Sequence, residues 1–157
     1  PYASWFEDQE VCRFNSHGKF FPSRADLLSY VAGSRGGDRV VMAICHEADG
    51  HVGNVSLQAI SPIDRSAEFA ILLGDKRHWR RGLGELAGKA LLAHGFDKLN
   101  LERIHCGTSA NNTGMQKLAL AMGMREEGRR RSALFLEGER VDVLEYGILR
   151  DEFRARG

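Results

Sequence analysis

The chain has 157 residues, which is enough for one domain with its own hydrophobic core and too few for two ordinary ones, so we expect a single domain over residues 1–157. With 43% hydrophobic residues, 27% charged residues and a formal net charge of +1, the composition is typical of a soluble globular protein, and the near balance of charge argues against a surface that holds nucleic acid. Because no apolar stretch approaches the roughly 18 residues that span a bilayer, we expect no membrane-spanning segment. Three cysteines without a Cys-x-x-Cys pair indicate neither a disulfide framework nor a zinc site, which favours a reducing cytoplasm.

The first half of the chain predicts one helix and three strands. Residues 24–33 carry apolar side chains at helical spacing and end at a glycine, as helices often do. Residues 38–60 contain two extended runs joined by the turn EADG, which predicts a β-hairpin. Residues 66–74 alternate between two faces and predict a strand that ends at Gly74.

The second half predicts two helices, a strand and a second hairpin. Apolar residues at 83, 86, 87, 90 and 91 follow the helical period, and ERIHCGTS then reads as a short strand. NNTGMQKLALAMGM predicts a helix that stops at Gly123, and the tail has two extended runs joined at EGER. Together these elements predict a mixed α/β domain with a parallel strand–helix–strand unit across residues 66–106, since a parallel connection needs a crossover of that length.

The stretch HWRRGLGEL, residues 78–86, places positive charge and glycine between that strand and that helix. The first turn of a helix has unpaired N–H groups and a partial positive charge, so an anion can bind there when glycine leaves the backbone accessible. Arg80 and Arg81 would add cations for phosphate. The spacing fits neither the nucleoside-triphosphate loop nor the dinucleotide fingerprint, so we expect another pyrophosphate ligand.

Four segments of the chain, in order along it, share their patterns with one family. They are WFEDQEVCRF, WRRGLGEL, NNTGMQKLALAMGM and GERVDVLEYGILRDEF. WRRGLGEL resembles the pyrophosphate motif [QR]-x-x-G-x-[GA] of the GNAT superfamily of acyl-CoA N-acyltransferases, with Trp79 in the place of Gln or Arg. The other three resemble the early segment, a later helix and the last strand of its Rim-type branch. The resemblance implies a mostly antiparallel sheet with flanking helices, a central strand–loop–helix site for acetyl-CoA, and no counterpart of the family's usual first strand.

The resemblance also implies which residues hold acetyl-CoA. The loop residues are Trp79, Arg80, Arg81, Gly82, Leu83, Gly84 and Glu85. Their amides and cations would hold the pyrophosphate, while backbone groups near Ile71 and Leu73 would pair with the pantetheine arm and the acetyl carbonyl. Asn112 matches an asparagine that touches pantetheine, and Ala119 stands where many members carry the tyrosine that protonates the departing thiolate.

Acyl transfer to an amine requires a base, because the amine is protonated near neutral pH. Glu68 is the candidate, since it lies 14 residues before Gly82 and a glutamate at that spacing is the base in histone-acetylating members of the superfamily. An ordered water could carry the proton if the carboxylate is out of direct reach. Tyr146 on the last strand is a candidate acid that would approach the sulfur.

The acceptor stays open between a protein N-terminus and a small amine. The segment EVCRFNSHGKFFPS also resembles members that acetylate amino groups of nucleotide-linked sugars. A non-catalytic CoA-binding regulator is the alternative from another class. We expect a monomer or homodimer, with His17 and His105 as candidates for the acceptor site and the RRR run as a solvated strand edge. The six histidines have no ligand-like spacing, so no metal site is predicted.

Overall fold

The computed structural model describes residues 2–14 and 23–156, and in these residues one sheet carries the fold. Its strands are β1 (Arg35–Gly36), β2 (Arg39–His46), β3 (Gly50–Ser61), β4 (Ser66–Leu73), β5 (Arg103–Ser109), β6 (Arg125–Leu136) and β7 (Glu139–Leu149). The helices are α1 (Tyr2–Trp5), α2 (Arg24–Ala32), α3 (Leu83–Asp97), α4 (Thr113–Ala121) and α5 (Arg150–Arg154), and a 3-10 turn spans Lys76–His78. Within those described ranges, no helix combines the length and apolar character that crossing a membrane requires.

The sheet has the order β1-β2-β3-β4-β5-β7-β6. Its neighbouring strands are antiparallel except for β4 and β5, which run parallel. The predicted α/β class with a mostly antiparallel sheet is confirmed, and so are the two hairpins, β2 with β3 and β6 with β7. The elements α1, β1 and α5 were not predicted, because two to five residues are too few to establish a period.

Helix α3 packs on the sheet through a face that the apolar pattern identified only in part, since Leu83, Ala87 and Leu91 contact the core as predicted. The sequence analysis put Leu86 on the packed face, but the structure leaves this side chain 70% exposed. The buried positions of α3 are Gly88, Leu91, Leu92, Gly95 and Phe96. They keep the predicted spacing of 3 and 4 but start from a glycine, which a search for apolar side chains does not count.

Helix α4 follows its prediction closely. Ala119 and Met122 are buried, while Met115 and Leu118 pack against the core from partly buried positions. The chain then turns at Gly123, whose φ of 93° is a left-handed value that glycine adopts readily. Helix α2 also forms where predicted, although it leaves Leu28 exposed.

Close packing between α3 and α4 depends on Gly88. A Cβ atom at this position would overlap Met122 Sδ and come within 3.4 Å of Phe69 Cζ. We expect Gly88→Leu to destabilise the protein by about 1 to 3 kcal/mol, because the neighbours are fully buried and have little room to move. Ala90→Leu is the matched control on the exposed side of α3 and should change the unfolding free energy by less than about 0.5 kcal/mol. Urea unfolding measures both, and equal stabilities would refute the packing role of Gly88.

Candidate active site

The two parallel strands of the sheet separate partway along their length. β4 and β5 pair only at Ser66 with Arg103, Ala67 with Ile104, and Glu68 with His105. Beyond Glu68, β4 stays paired with β3 as far as Leu73. β5 stays paired with β7 as far as Ser109. A wedge therefore opens between the two strands from Glu68 onward.

Peptide groups of β4 point into this wedge. The Gly74 N–H donates to the Val52 carbonyl at 3.0 Å, which fixes the register of the hydrogen-bonded pairs between β4 and β3. Because such pairs alternate along an antiparallel ladder, the N–H and C=O of Ile71 and Leu73 face away from β3 and toward β5. The Leu73 carbonyl already accepts a hydrogen bond from Trp79 Nε1 at 2.7 Å, whereas Ile71 directs both groups into the wedge.

The loop that follows β4 ends in an open helix N-terminus. Gly82 is the N-cap of α3 with φ 78°, and no side chain caps the helix there. The first helical bond runs from the Leu86 N–H to the Gly82 carbonyl at 3.0 Å. The amides of Leu83, Gly84 and Glu85 are therefore the first-turn donors that an α-helix leaves without helical partners. The Glu85 carboxylate pairs with Lys89 at 2.7 Å.

Two guanidinium groups flank this N-terminus. Arg80 and Arg81 are exposed, and neither forms an ion pair with any residue in the described part of the chain. Arg80 has a φ of 59°, so the loop holds a non-glycine residue in a left-handed conformation. Unpaired cations beside unpaired N–H groups make this the region of the site best suited to an anion.

The structure separates the roles of the two loop glycines, which the sequence analysis had treated alike. A Cβ on Gly82 would meet open space and would be strained by the positive φ. A Cβ on Gly84 would lie 3.5 Å from Ile71 Cδ1 and 3.7 Å from Leu118 Cδ2, which are ordinary contacts with the interior. Gly82 thus leaves space in front of the helix, and Gly84 lies on its packed side.

Hydrogen bonds anchor the loop to the sheet. Asp75 accepts from the Arg77 N–H at 3.0 Å and binds the Arg77 guanidinium, which lowers the pKa of this carboxyl to about 2. The N–H groups of Gly74 and Asp75 both donate to the Val52 carbonyl. Trp5 of α1 packs so closely on Gly74 that a side chain there would overlap its indole. The start of the loop is therefore firmly positioned by β3, α1 and its own turn.

Glu68 lies at the apex of the wedge. It is exposed and is the last residue of β4 that pairs with β5. Paired residues share a face, so its side chain lies on the same side of the sheet as Gln58. Phe69 and Ile71, which alternate with it, face α3 on the other side.

Cys106 is buried beside the wedge. Burial and, to a smaller extent, the negative charges of Glu145 and Glu68 together raise the pKa of its thiol to about 12. Its sulfur lies 3.6 Å from Met124 Sδ in the core. A thiol with this pKa is almost entirely protonated near neutral pH, so Cys106 is not suited to be a nucleophile.

A cavity of about 290 Å³ lies on the Glu68 face of the sheet. Its walls include Tyr2, Phe6, Asp26, Tyr30, Asn54, Ser56 and Ala70. Burial and the neighbouring Tyr30 raise the pKa of Tyr2 to about 12, although a hydrogen bond with Asn54 lowers it in part. The cavity could not be predicted from the sequence, because its walls come from α1, α2, β3 and β4, which only the folded chain brings together.

Three other residues that the sequence placed at the site, Tyr146, Asn112 and Ala119, are either buried or cap a helix in this fold. Tyr146 is 2% exposed and pairs in register with Cys106, and burial raises the pKa of its hydroxyl. Asn112 is the N-cap of α4 and its Oδ1 accepts from the Met115 N–H at 3.1 Å. Ala119 is fully buried in the core, so a tyrosine there would need space that this packing does not offer.

Two further sequence predictions concern the surroundings of the site. In the arginine run, Arg129 pairs with Asp142 and Arg130 pairs with Glu145 on the neighbouring strand β7. His105 lies on β5 next to Glu68 in register. His17, the other histidine considered for the acceptor site, lies outside the described residues.

This chain is similar in sequence to known N-acetyltransferases. A family model described as Acetyltransferase (GNAT) domain matches residues 1–125. The uncharacterized N-acetyltransferase p20 of Bacillus licheniformis is 30% identical over 110 residues, or 70% of this chain and 61% of that protein. The spermidine N(1)-acetyltransferase of Vibrio cholerae is 30% identical over 105 residues, or 67% of this chain and 60% of that protein.

A solved structure extends the likeness to nearly the whole chain. The crystal structure of spermidine N-acetyltransferase from Vibrio cholerae in complex with CoA and spermine has a TM-score of 0.86 at 22% identity, over 98% of this chain and 90% of that one. At this identity the likeness concerns the fold alone. By sequence, the aligned part of this chain spans 55% to 61% of the length of three curated relatives.

Proposed function

Because this chain belongs to the GNAT acetyltransferase family, we propose that it transfers an acetyl group from acetyl-CoA to a primary amine. The observation that carries the proposal is the wedge between β4 and β5, with Glu68 at its apex and an open helix N-terminus at its mouth. Both substrates bind at once and the transfer is direct. The raised pKa of Cys106 supports this, since no activated thiol stands ready to take the acetyl group first.

Acetyl-CoA is held mainly by backbone groups. The amides at the start of α3 bind the pyrophosphate, and Arg80 and Arg81 add charge that no described residue neutralises. The N–H and C=O of Ile71 bind the pantetheine arm as it runs along the wedge. Leu73 has only its N–H to offer, because Trp79 occupies its carbonyl.

The sheet separates the donor from the acceptor. The helix N-terminus and the packed side of β4 lie with α3, whereas the cavity and Glu68 lie on the opposite face. The wedge is a gap in the hydrogen-bonded sheet, so the thioester can be reached through it from the cavity face. Glu68 then takes the proton that the attacking amine loses, directly or through a water.

Protonation of the departing CoA thiolate needs no dedicated side chain. A thiolate whose conjugate acid has a pKa near 8.5 is a tolerable leaving group, unlike an alkoxide. Tyr146 was the candidate acid, but it is buried on the core side and lies on β7, one strand beyond the edge of the wedge. We therefore favour water as the proton source, with Tyr146 as the alternative.

The acceptor is a small primary amine with a second cationic group. Tyr2, Phe6 and Tyr30 offer aromatic faces to a cation, and hydrogen bonds from Ser23 lower the pKa of Asp26 and keep it ionised. A cavity of about 290 Å³ suits a small molecule. The named activity of the Vibrio cholerae relatives on spermidine supports a polyamine. A protein N-terminus, the acceptor of Rim-type enzymes, is the alternative.

The first prediction concerns acetyl-CoA. Wild-type protein should bind it with micromolar affinity, about −8 kcal/mol. Gly82→Val should weaken binding by tenfold or more, since it strains the αL cap and puts a branched side chain in front of the helix. Gly84→Ala is the matched control, because its new methyl group contacts Ile71 and Leu118 instead of the ligand. Calorimetry on folded variants with equal affinities would remove the loop from the binding site.

The second prediction concerns Glu68. Glu68→Gln keeps the shape of the side chain but loses its basicity, so turnover should fall by about 10²-fold with acetyl-CoA affinity unchanged. The loss should shrink as pH rises, because more of the amine is then already deprotonated. Glu139→Gln, an exposed glutamate at the start of β7, is the control. Wild-type turnover of Glu68→Gln from about pH 6 to pH 9 would make Glu68 structural.

The third prediction concerns the acceptor. In an assay of free CoA thiol, spermidine should be a better acceptor than a peptide with a free N-terminus or an amino sugar. Ala70→Leu fills the cavity and should raise the acceptor KM about tenfold without changing acetyl-CoA affinity. Ala133→Leu on exposed β6 is the control. Preference for the peptide would favour acetylation of protein N-termini. Normal acetyl-CoA binding without any transfer would favour a non-catalytic CoA-binding regulator.

A further inference from the structure

Three side chains with metal-binding atoms meet at the end of the sheet next to the loop. His46 and Asp49 lie at the turn between β2 and β3, and His78 ends the 3-10 turn before Trp79. His78 Nε2 lies 3.1 Å from Asp49 Oδ2, and His46 Nδ1 lies 3.3 Å from the same oxygen. The ligand atoms all lie within 4.8 Å of one another. We propose that His46, Asp49 and His78 form a binding site for a divalent transition-metal ion such as Zn²⁺.

The distances suit a tetrahedral ion. Metal–ligand bonds of about 2.0 to 2.2 Å put neighbouring ligand atoms about 3.2 to 3.6 Å apart in a tetrahedron. The two separations from Asp49 Oδ2 are already close to that range, whereas the two histidine nitrogens, which lie within 4.8 Å of each other, would move together to complete the tetrahedron. Two imidazoles and one carboxylate are a donor set that suits Zn²⁺, Co²⁺ and Ni²⁺ better than Mg²⁺ or Ca²⁺.

Neighbouring groups orient the ligands. Arg77 Nη1 binds Asp49 Oδ1 at 2.9 Å, which leaves Oδ2 directed at the histidines as a monodentate ligand. The Ala48 N–H donates to His46 Nδ1 at 3.3 Å, which makes Nδ1 the unprotonated ring nitrogen, and a bound ion would replace this long hydrogen bond.

The local charge also favours a cation. Arg77 carries one positive charge but pairs with both Asp49 and Asp75, so the three groups together carry one negative charge. The His78 side chain is only 5% exposed and forms the closed side of the site. His46 and Asp49 are more exposed and leave a fourth position for water. A bound ion would join the β2–β3 turn to the segment that leads into the loop at Trp79.

Cobalt titration of untagged protein tests the proposal. One Co²⁺ should bind per chain, with visible absorption bands of tetrahedral type that Zn²⁺ abolishes. His46→Ala and Asp49→Asn should each lower the affinity by about 100-fold or more. His94→Ala is the matched control in α3 and should bind as the wild type does.

Thermal unfolding gives an independent readout that does not require activity. Zn²⁺ should raise the Tm of the wild type and of His94→Ala but not that of His46→Ala. His46 is exposed, so its variant should fold even if replacements of buried His78 do not. Absence of one-to-one binding, or equal binding and equal Tm shifts in the wild type and both ligand variants, would overturn the proposal.

Discussion

The separation of β4 from β5 after Glu68 is the constraint on which the rest of the site depends. Up to that residue the two strands pair in parallel. Beyond it, among the described residues, β4 pairs only with β3 and β5 pairs only with β7. Sheets twist, and a parallel pair of three residues with antiparallel neighbours on both sides has little to oppose their divergence. The opening exposes peptide groups of β4, and in the proposed function the pantetheine arm of acetyl-CoA would supply their hydrogen-bonding partners.

Helices α3 and α4 cover one face of the sheet where β4 and β5 separate. Gly84 lets the start of α3 approach Ile71 and Leu118, and Gly88 lets its next turn approach Met122 and Phe69. This packing brings the N-terminus of α3 to the mouth of the wedge. The same contacts therefore complete the hydrophobic core and direct the positive end of the helix dipole toward the wedge. On the other face the cavity stays open beside Glu68. In the proposed function, donor and acceptor thus bind on opposite faces of the same sheet.

Local patterns in the sequence predicted the six longer strands, the two hairpins and helices α2, α3 and α4, because each has its own period and its own turn residues, whereas α1, β1 and α5 are too short to show a period. The strand–loop–helix order and the fold class followed from them. The packed face of α3 followed only in part, since Gly88 and Gly95 on that face carry no apolar signal and Leu86 is exposed. The different surroundings of Gly82 and Gly84 could not be predicted from the sequence, because they depend on the φ of Gly82 and on the side chains that pack against Gly84. Convergence of distant residues, as in the cavity or in His46 with His78, leaves no trace in linear spacing.

The surroundings of the wedge indicate that the proposed acetyl transfer would rely on positioning more than on reactive side chains. Cys106 is held protonated, Tyr146 is buried, and Ala119 offers no hydroxyl. Glu68 is the proposed base at the apex, and the proposed reaction needs little more from side chains because a thioester is already activated and its thiolate leaves readily. A carbonyl held by β4 amides beside an amine in the cavity needs alignment above all. Alignment is what a rigid, anchored loop and a sheet of fixed register provide.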